Sequence, residues 1–193
     1  MKLSILIPTL NEPESIKYLR RLRGILDPQV AKYPGEVEIK IHDAGRSMPT
    51  GTKRNELIAN SDSDYFSMID VDDIVSYNYV SQIMQAISYS PDVITMCGWI
   101  TTDGHSRVNW VIKLGEKYEY RNGVYYRWPN HLAVYKRSLV QHIKFPDVWE
   151  REDYEWSIRV KNANVLKTEI HIKDQIYHYD FKTKKAPYRR HAR

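Results

Sequence analysis

The sequence predicts an α/β protein built on a mostly parallel sheet flanked by helices, with a small antiparallel extension in its second half. Three observations carry this. Short apolar runs alternate with helical repeats over residues 2–100, and alternation at this pitch implies parallel neighbours joined by right-handed crossovers. The second and third apolar runs give way to acids, Asp43 and Asp70–Asp73, which fall on the carboxyl edge of such a sheet, where ligands gather. Residues 101–130 are instead rich in Tyr, Trp, Asn and Gly, with alternating segments suited to short antiparallel strands.

Each element follows from its pattern. Residues 3–8 carry Ile5, Leu6 and Ile7 and suit a central strand. Residues 15–26 place Ile16, Leu19, Leu22 and Leu26 at helical spacing with Arg and Lys on the other face. Pro28 and then Pro34-Gly35 are expected to break that helix. Residues 37–42 alternate as a second strand, 51–60 form a helix around Leu57 and Ile58, and 64–69 form a third strand. A helix is expected over 76–88 and a fourth strand over 91–100. Beyond these, 108–113 and 118–121 read as short strands, 135–143 and 152–162 as helices, and 165–172 and 175–179 as closing strands.

At 193 residues the chain reads as one domain, large enough to bury a core without staples. Its single cysteine, Cys97, lies in an apolar run and reads as packed, so nothing implies an oxidising compartment. The opening residues are interrupted at Pro8, too soon for a signal peptide. No apolar run approaches the roughly 20 residues that span a bilayer, so the expectation is a soluble, cytoplasmic protein. The net charge of +5 sits at the end: residues 181–193 hold six Lys or Arg and no acid, leaving 23 bases against 24 acids elsewhere. Such a tail suits a solvated end, a polyanion contact or a lid over phosphates.

The most telling stretch is Asp-Tyr-Phe-Ser-Met-Ile-Asp-Val-Asp-Asp at 64–73. If the strand persists, alternation projects Asp70 and Asp72 to the same side. Adjacent carboxylates repel unless a cation sits between them, and hard oxygen ligands favour Mg²⁺ or Mn²⁺ with positions open to substrate phosphates. The plainer reading is an acidic turn capping the next helix.

Further segments stand in a fixed order around it: Ser4-Ile-Leu-Ile-Pro-Thr-Leu-Asn-Glu12, then His42-Asp43-Ala-Gly45, Lys53-Arg-Asn55, Asp70-Val-Asp72-Asp73, Glu152-Asp153 and His178. Taken together, from about Lys2 to Asp180, this order resembles the family 2 glycosyltransferases of the GT-A fold, as a small soluble member of a kind also found in viruses. The resemblance implies a GT-A-type, Rossmann-like domain over 1–193. Within it, 1–100 would be the nucleotide-sugar half, 101–180 the acceptor and catalytic-base half, and 181–193 a basic tail. It implies a metal-dependent inverting transfer, with Mn²⁺ or Mg²⁺, from a nucleotide sugar, most simply a UDP sugar, to an acceptor hydroxyl. By position, Pro8, Thr9 and Glu12 match the nucleotide-contacting loop, and Asp43 the acid that reads uracil or ribose. Arg54 matches the Arg-Asn helix near base and ribose. Asp70 and Asp72 match the Asp-x-Asp pair, with Asp72 the direct metal ligand, Asp153 matches the catalytic base, and His178 a late metal ligand. Two departures stand out. His42-Asp43 replaces the usual acidic pair, and the usual Gly-Ser is spread over residues 44–47.

Other readings stay open. Asp43 also suits a loop cap, Arg54 a solvated helix charge, Asp153 a surface charge network and His178 a packed histidine. His131, where polar and aromatic residues meet, suits either the sugar or acceptor pocket or a structural histidine, and Trp128, Trp149 and Trp156 suit either stacking on a ring or the core. The tail bases Lys182, Lys184, Lys185, Arg189 and Arg190 suit a pyrophosphate clamp or a frayed end. Two acceptor classes stand, a glycan or a hydroxymethylated base in DNA, the latter with salt-sensitive binding and a flipped base. A different class also stands, a non-catalytic nucleotide- or nucleic-acid-binding module on the same scaffold.

Overall fold

A computed structural model describes residues 1–183; the tail bases from Lys184 onward lie outside the described residues. In chain order the elements are β1 (Leu3–Thr9), α1 (Pro13–Val30), β2 (Val37–Asp43), α2 (Thr50–Ala59), β3 (Tyr65–Met68), β4 (Ile74–Val75), α3 (Tyr79–Ile87) and β5 (Val93–Thr102). Then follow β6 (His105–Ile112), β7 (Glu119–Arg121), β8 (Val124–Arg127), β9 (Val134–Lys136), α4 (Arg137–Val140), α5 (Glu152–Ala163) and β10 (Glu169–Phe181).

One sheet runs β2-β1-β3-β9-β5-β6-β8-β7, with β10 pairing β5 and β4. The β2-β1-β3 core is parallel, as the strand–helix alternation requires. β1 is buried along its whole length, which explains why its sequence is an unbroken apolar run rather than an alternating one. β9 enters antiparallel between β3 and β5. The β5–β6 and β7–β8 pairs supply the antiparallel extension. Among the described residues, no helix is long and apolar enough to cross a membrane.

Four expectations need correction. Helix α1 passes through Pro28 and ends at Val30. So near the end of the helix the proline forfeits only one backbone bond. The Gln29 side chain ties down this end of the helix, donating to the Ile25 carbonyl at 2.9 Å and the Ser76 carbonyl at 3.0 Å and accepting from the Val80 amide at 3.0 Å. Residues 134–136 are strand, not the start of a helix, because Tyr135 is worth more inside the sheet. There it is fully buried, stacked 5.8 Å from Phe66 and edge-on at 5.1 Å to Trp156. The two closing strands are one, β10, kinked by register shifts between Ile172 and Tyr177. Finally, β3 stops at Met68 and β4 forms at Ile74–Val75, where β10 arrives to pair with it.

Helix α2 is riveted to the segment ahead of α5. Asn55 donates to the Phe145 carbonyl and accepts from the Phe145 amide, both at 2.9 Å. A Cβ on Gly51 would lie 1.9 Å from the Pro146 carbonyl oxygen, so this contact exists only because residue 51 has no side chain. Gly51→Ala is expected to destabilise the fold by roughly 1–3 kcal/mol, read as a lowered urea midpoint at unchanged slope.

Candidate active site

The carboxyl end of β1 and the turn after β3 open onto a cleft of about 740 Å³. Pro8 and Thr9 line it from the end of β1, Glu12 and Tyr18 from the start of α1, Lys53 and Arg54 from α2, and Asp70 and Asp72 from the turn after β3. Thr9 and Asp43 are register partners at the parallel edge, so the expected shared edge forms. Asp43 is exposed there and its charge acts on Lys53. Glu12 is held by Arg46 in a paired carboxylate–guanidinium contact. Lys53 is buried and ties the two loops together, donating to the Thr9 carbonyl at 3.0 Å and the Gly45 carbonyl at 2.5 Å.

The acidic turn is built differently from the strand alternation expected of it. With β3 ended at Met68, residues 70–73 close a turn through the Asp73 amide and the Asp70 carbonyl at 3.0 Å. The three carboxylates then go separate ways. Asp73 faces inward, accepting from the Tyr177 hydroxyl at 2.7 Å and the Asp180 amide at 3.1 Å. Burial and the nearby Asp70 and Asp72 push its pKa well up. Arg21 on α1 holds the turn from below, donating to the Asp72 carbonyl at 2.5 Å. Asp72 lines the cleft.

Asp70 enters a buried chain of charges. Its Oδ1 accepts from Arg54 Nη2 at 2.7 Å, and its Oδ2 lies 3.2 Å from His131 Nε2. His131 Nδ1 in turn sits 3.3 Å from Asp153 Oδ2. On the other side of Arg54, Nε is 3.4 Å from Glu152 Oε1. Glu152 and Asp153 therefore serve two different cations from adjacent positions on α5. The residue before them, Arg151, adopts a left-handed conformation (φ 65°, ψ 10°). That conformation is uncommon for a side chain with a Cβ and turns the chain so that the pair begins the helix.

Arg54 and His131 are 2% and 7% exposed. A buried cation persists only when paired. Burial works against the ionised form of Asp153, but the His131 contact outweighs it and holds this carboxyl well below the usual range. Burial likewise opposes Asp70, which Arg54 and then His131 hold far down. For His131, burial and the Arg54 charge lower the pKa, and Asp70 and Asp153 overcome them, leaving it pushed up to about 9. The sign for stability follows. A histidine raised from 6.5 to about 9 stabilises the fold fully below its unfolded value and loses that contribution as pH rises through 9. The thermal midpoint is expected to fall between pH 6.5 and 9, and a His131→Gln variant to show a flatter profile over that window.

The structure thus brings Pro8, Thr9, Glu12, Arg54, Asp70 and Asp72 to one cleft, with Asp153 joined to Asp70 through His131. His178 lies on β10 beside the turn, pairing with Ile74, hydrogen-bonded to Thr101 at 2.7 Å and stacked 5.1 Å from Trp99. Among the described residues, no cluster of three or more His, Cys, Asp or Glu side chains is gathered tightly enough to hold a metal alone. Sequence reasoning left His131 undecided and passed over Arg21 and the bracing by Lys53. Only the meeting of polar and aromatic residues around His131 marked it.

No protein-family model and no curated protein matches the chain. Solved structures of S. aureus TarS match its fold. Residues 1–349 of TarS in complex with UDP superpose with a TM-score of 0.66 at 17% identity, covering 93% of this chain and 60% of that one. The complex of the same TarS segment with UDP-GlcNAc gives 0.65 at 16%, covering 93% and 58%. A longer TarS structure gives 0.63 at 15%, covering 93% and 37%. The chain spans at most about three-fifths of these proteins. The likeness establishes the fold, a mixed, mostly parallel sheet of the GT-A type.

Proposed function

We propose that the chain is a glycosyltransferase that takes a UDP sugar in the cleft and passes the sugar to an acceptor hydroxyl with inversion. The observation that carries this is the path from cleft to carboxylate, Asp70–His131–Asp153, which sets an ionised acid beside a pocket of nucleotide size. The UDP and UDP-GlcNAc bound by TarS on a like fold support the choice of donor.

In the reaction the acceptor oxygen attacks the anomeric carbon as the bond to the diphosphate oxygen breaks. The acceptor proton passes to Asp153, and the bonding electrons leave with the diphosphate. One displacement inverts the anomeric centre. Asp153 lies in the first turn of α5, where the helix dipole adds to His131 in keeping the base ionised. Pro8, Thr9 and Glu12 line the cleft and would contact the base and ribose, with Asp43 at the neighbouring strand end, and Lys53 fixes the loops after both strands. Arg54 acts by orienting Asp70, since its guanidinium is already spent on two carboxylates.

The donor set fits a divalent ion that arrives largely with the diphosphate. Asp72 lines the cleft and is the carboxylate that would hold Mn²⁺ or Mg²⁺, ions often held by one or two carboxylates plus phosphates. When bound, the ion would offset the charge growing on the leaving diphosphate. His178, on β10 beside the turn, would be the second ligand. Asp72→Asn is therefore expected to abolish metal-stimulated turnover, and His178→Ala to weaken Mn²⁺ affinity to a smaller degree, read by titrating Mn²⁺ into the turnover assay.

On the acceptor side, Tyr118 sits edge-on at 5.2 Å to Tyr154, the residue after Asp153, and both rings are partly exposed. Such rings suit stacking on a sugar of a glycan. The basic residues of 181–193 favour hydroxymethylated DNA as the second reading. The test is transfer from a panel of radiolabelled UDP sugars, with Mn²⁺ or with EDTA, to mixed glycans and to hydroxymethylated DNA. Metal-dependent labelling of either acceptor supports the proposal and names its class. Labelling of neither, with no UDP released, refutes it in favour of a binding module.

A further inference from the structure

We infer that His131 is a positioning residue that couples the donor side of the cleft to the catalytic base: it stands between Asp70 and Asp153 with one ring nitrogen toward each and so fixes how the carboxylate of the base is turned. This rests on the glycosyltransferase reading for its catalytic consequence, but the coupling itself is a property of the fold.

The geometry is specific. The imidazole lies between two carboxylates from different parts of the chain, Asp70 at 3.2 Å from Nε2 and Asp153 at 3.3 Å from Nδ1. Both contacts are to Oδ2 atoms. Asp70 has its other oxygen on Arg54, so it is held at both ends. Asp153 has Oδ2 at 3.3 Å from the ring, so the ring sets how this carboxylate is turned. A rotation of the histidine would release both acids together.

The segment bearing His131 cannot drift. The Asn130 side chain accepts from the Leu132 amide at 3.2 Å, its carbonyl accepts from the Ala133 amide at 3.0 Å, and Asn130 is 2% exposed. The Tyr135 hydroxyl donates to the same Asn130 carbonyl at 2.8 Å. Its ring stacks on Phe66 of β3 and meets Trp156 of α5 edge-on. The first leads into the turn that bears Asp70, and the second carries Asp153. One buried tyrosine therefore registers the histidine turn, the donor strand and the base helix against each other, and the imidazole bridges the same gap with charge. Aligning reacting groups in this way lowers the barrier without adding substrate contacts. The effect should appear in turnover and not in donor affinity.

Two measurements test it. The first compares wild type with His131→Gln and His131→Asn for UDP affinity by calorimetry, thermal midpoint, and turnover as UDP release from UDP-GlcNAc with Mn²⁺. Turnover reduced by about 10²-fold, as for a misplaced reacting group, with UDP affinity and KM little changed, supports the coupling. Unchanged turnover, or a loss carried wholly by KM, overturns it. The second needs no activity: ¹⁵N spectra of the wild-type imidazole against Asp70→Asn and Asp153→Asn. The coupling predicts that Asp153→Asn moves the Nδ1 resonance and Asp70→Asn the Nε2 resonance. Resonances indifferent to both overturn it, even where a His131 variant fails to fold. If the imidazole responds as expected but wild type neither binds UDP nor releases it, the glycosyltransferase reading fails and the coupling survives as structure.

Discussion

Asp153→Asn is expected to cut sugar transfer by about 10²–10⁴-fold, the usual contribution of a positioned general base, while UDP affinity stays near that of wild type. The asparagine keeps the shape and can still contact His131, but it cannot take the acceptor proton. The loss should fall on kcat, because in the proposed reaction the base touches the acceptor hydroxyl and not the nucleotide. A variant that transfers sugar at the wild-type rate would remove Asp153 from the mechanism. Equal loss of UDP affinity and turnover would mean that the residue supports the donor cleft instead.

The second large effect is on stability. Arg54→Leu leaves Asp70 and Glu152 facing each other across a site where the guanidinium was 2% exposed. Removing one partner of a buried ion pair typically costs about 3–5 kcal/mol, and here one cation serves two acids. Urea unfolding is the readout, and Arg54→Leu combined with Asp70→Asn should recover part of the loss. A cost near zero for Arg54→Leu would show that Asp70 and Glu152 are neutral without it. The contrast with Asp153 is useful: one substitution should stop chemistry in a stable protein, the other should loosen the protein before any chemistry is measured.

What the sequence disclosed and what it hid divide along local against distant forces. The run Ile5-Leu6-Ile7 and the spacing of Leu19, Leu22 and Leu26 announce β1 and α1, because period and burial are written in neighbouring residues. The order of acids and loops disclosed the edge of the sheet where the cleft lies, since strand ends fix where polar residues gather. Pro28 misled because the sequence alone does not show Gln29 supplying bonds in the last turn. Tyr135 misled because its spacing from Leu139 and Val140 suits a helix, while its rings of contact, Phe66 and Trp156, lie far away in sequence. The Asp70–Asp73 cluster was visible as chemistry, yet the division of labour within it depends on Arg54, His131, Tyr177 and Asp180, which arrive from three other segments. His131 illustrates the limit best. Nothing next to it in the chain says that it will stand between two carboxylates 61 and 22 residues away.

The most direct test of the account is calorimetric titration of UDP into the wild-type protein and into Asp72→Asn, each with Mn²⁺ and with EDTA. Binding that needs Mn²⁺ in wild type and is lost or severely weakened in the variant is the predicted result. It would place the diphosphate and its ion at the acidic turn. Binding of UDP that is indifferent to both Mn²⁺ and Asp72, or no binding at all, would contradict a metal-assisted donor site in this cleft.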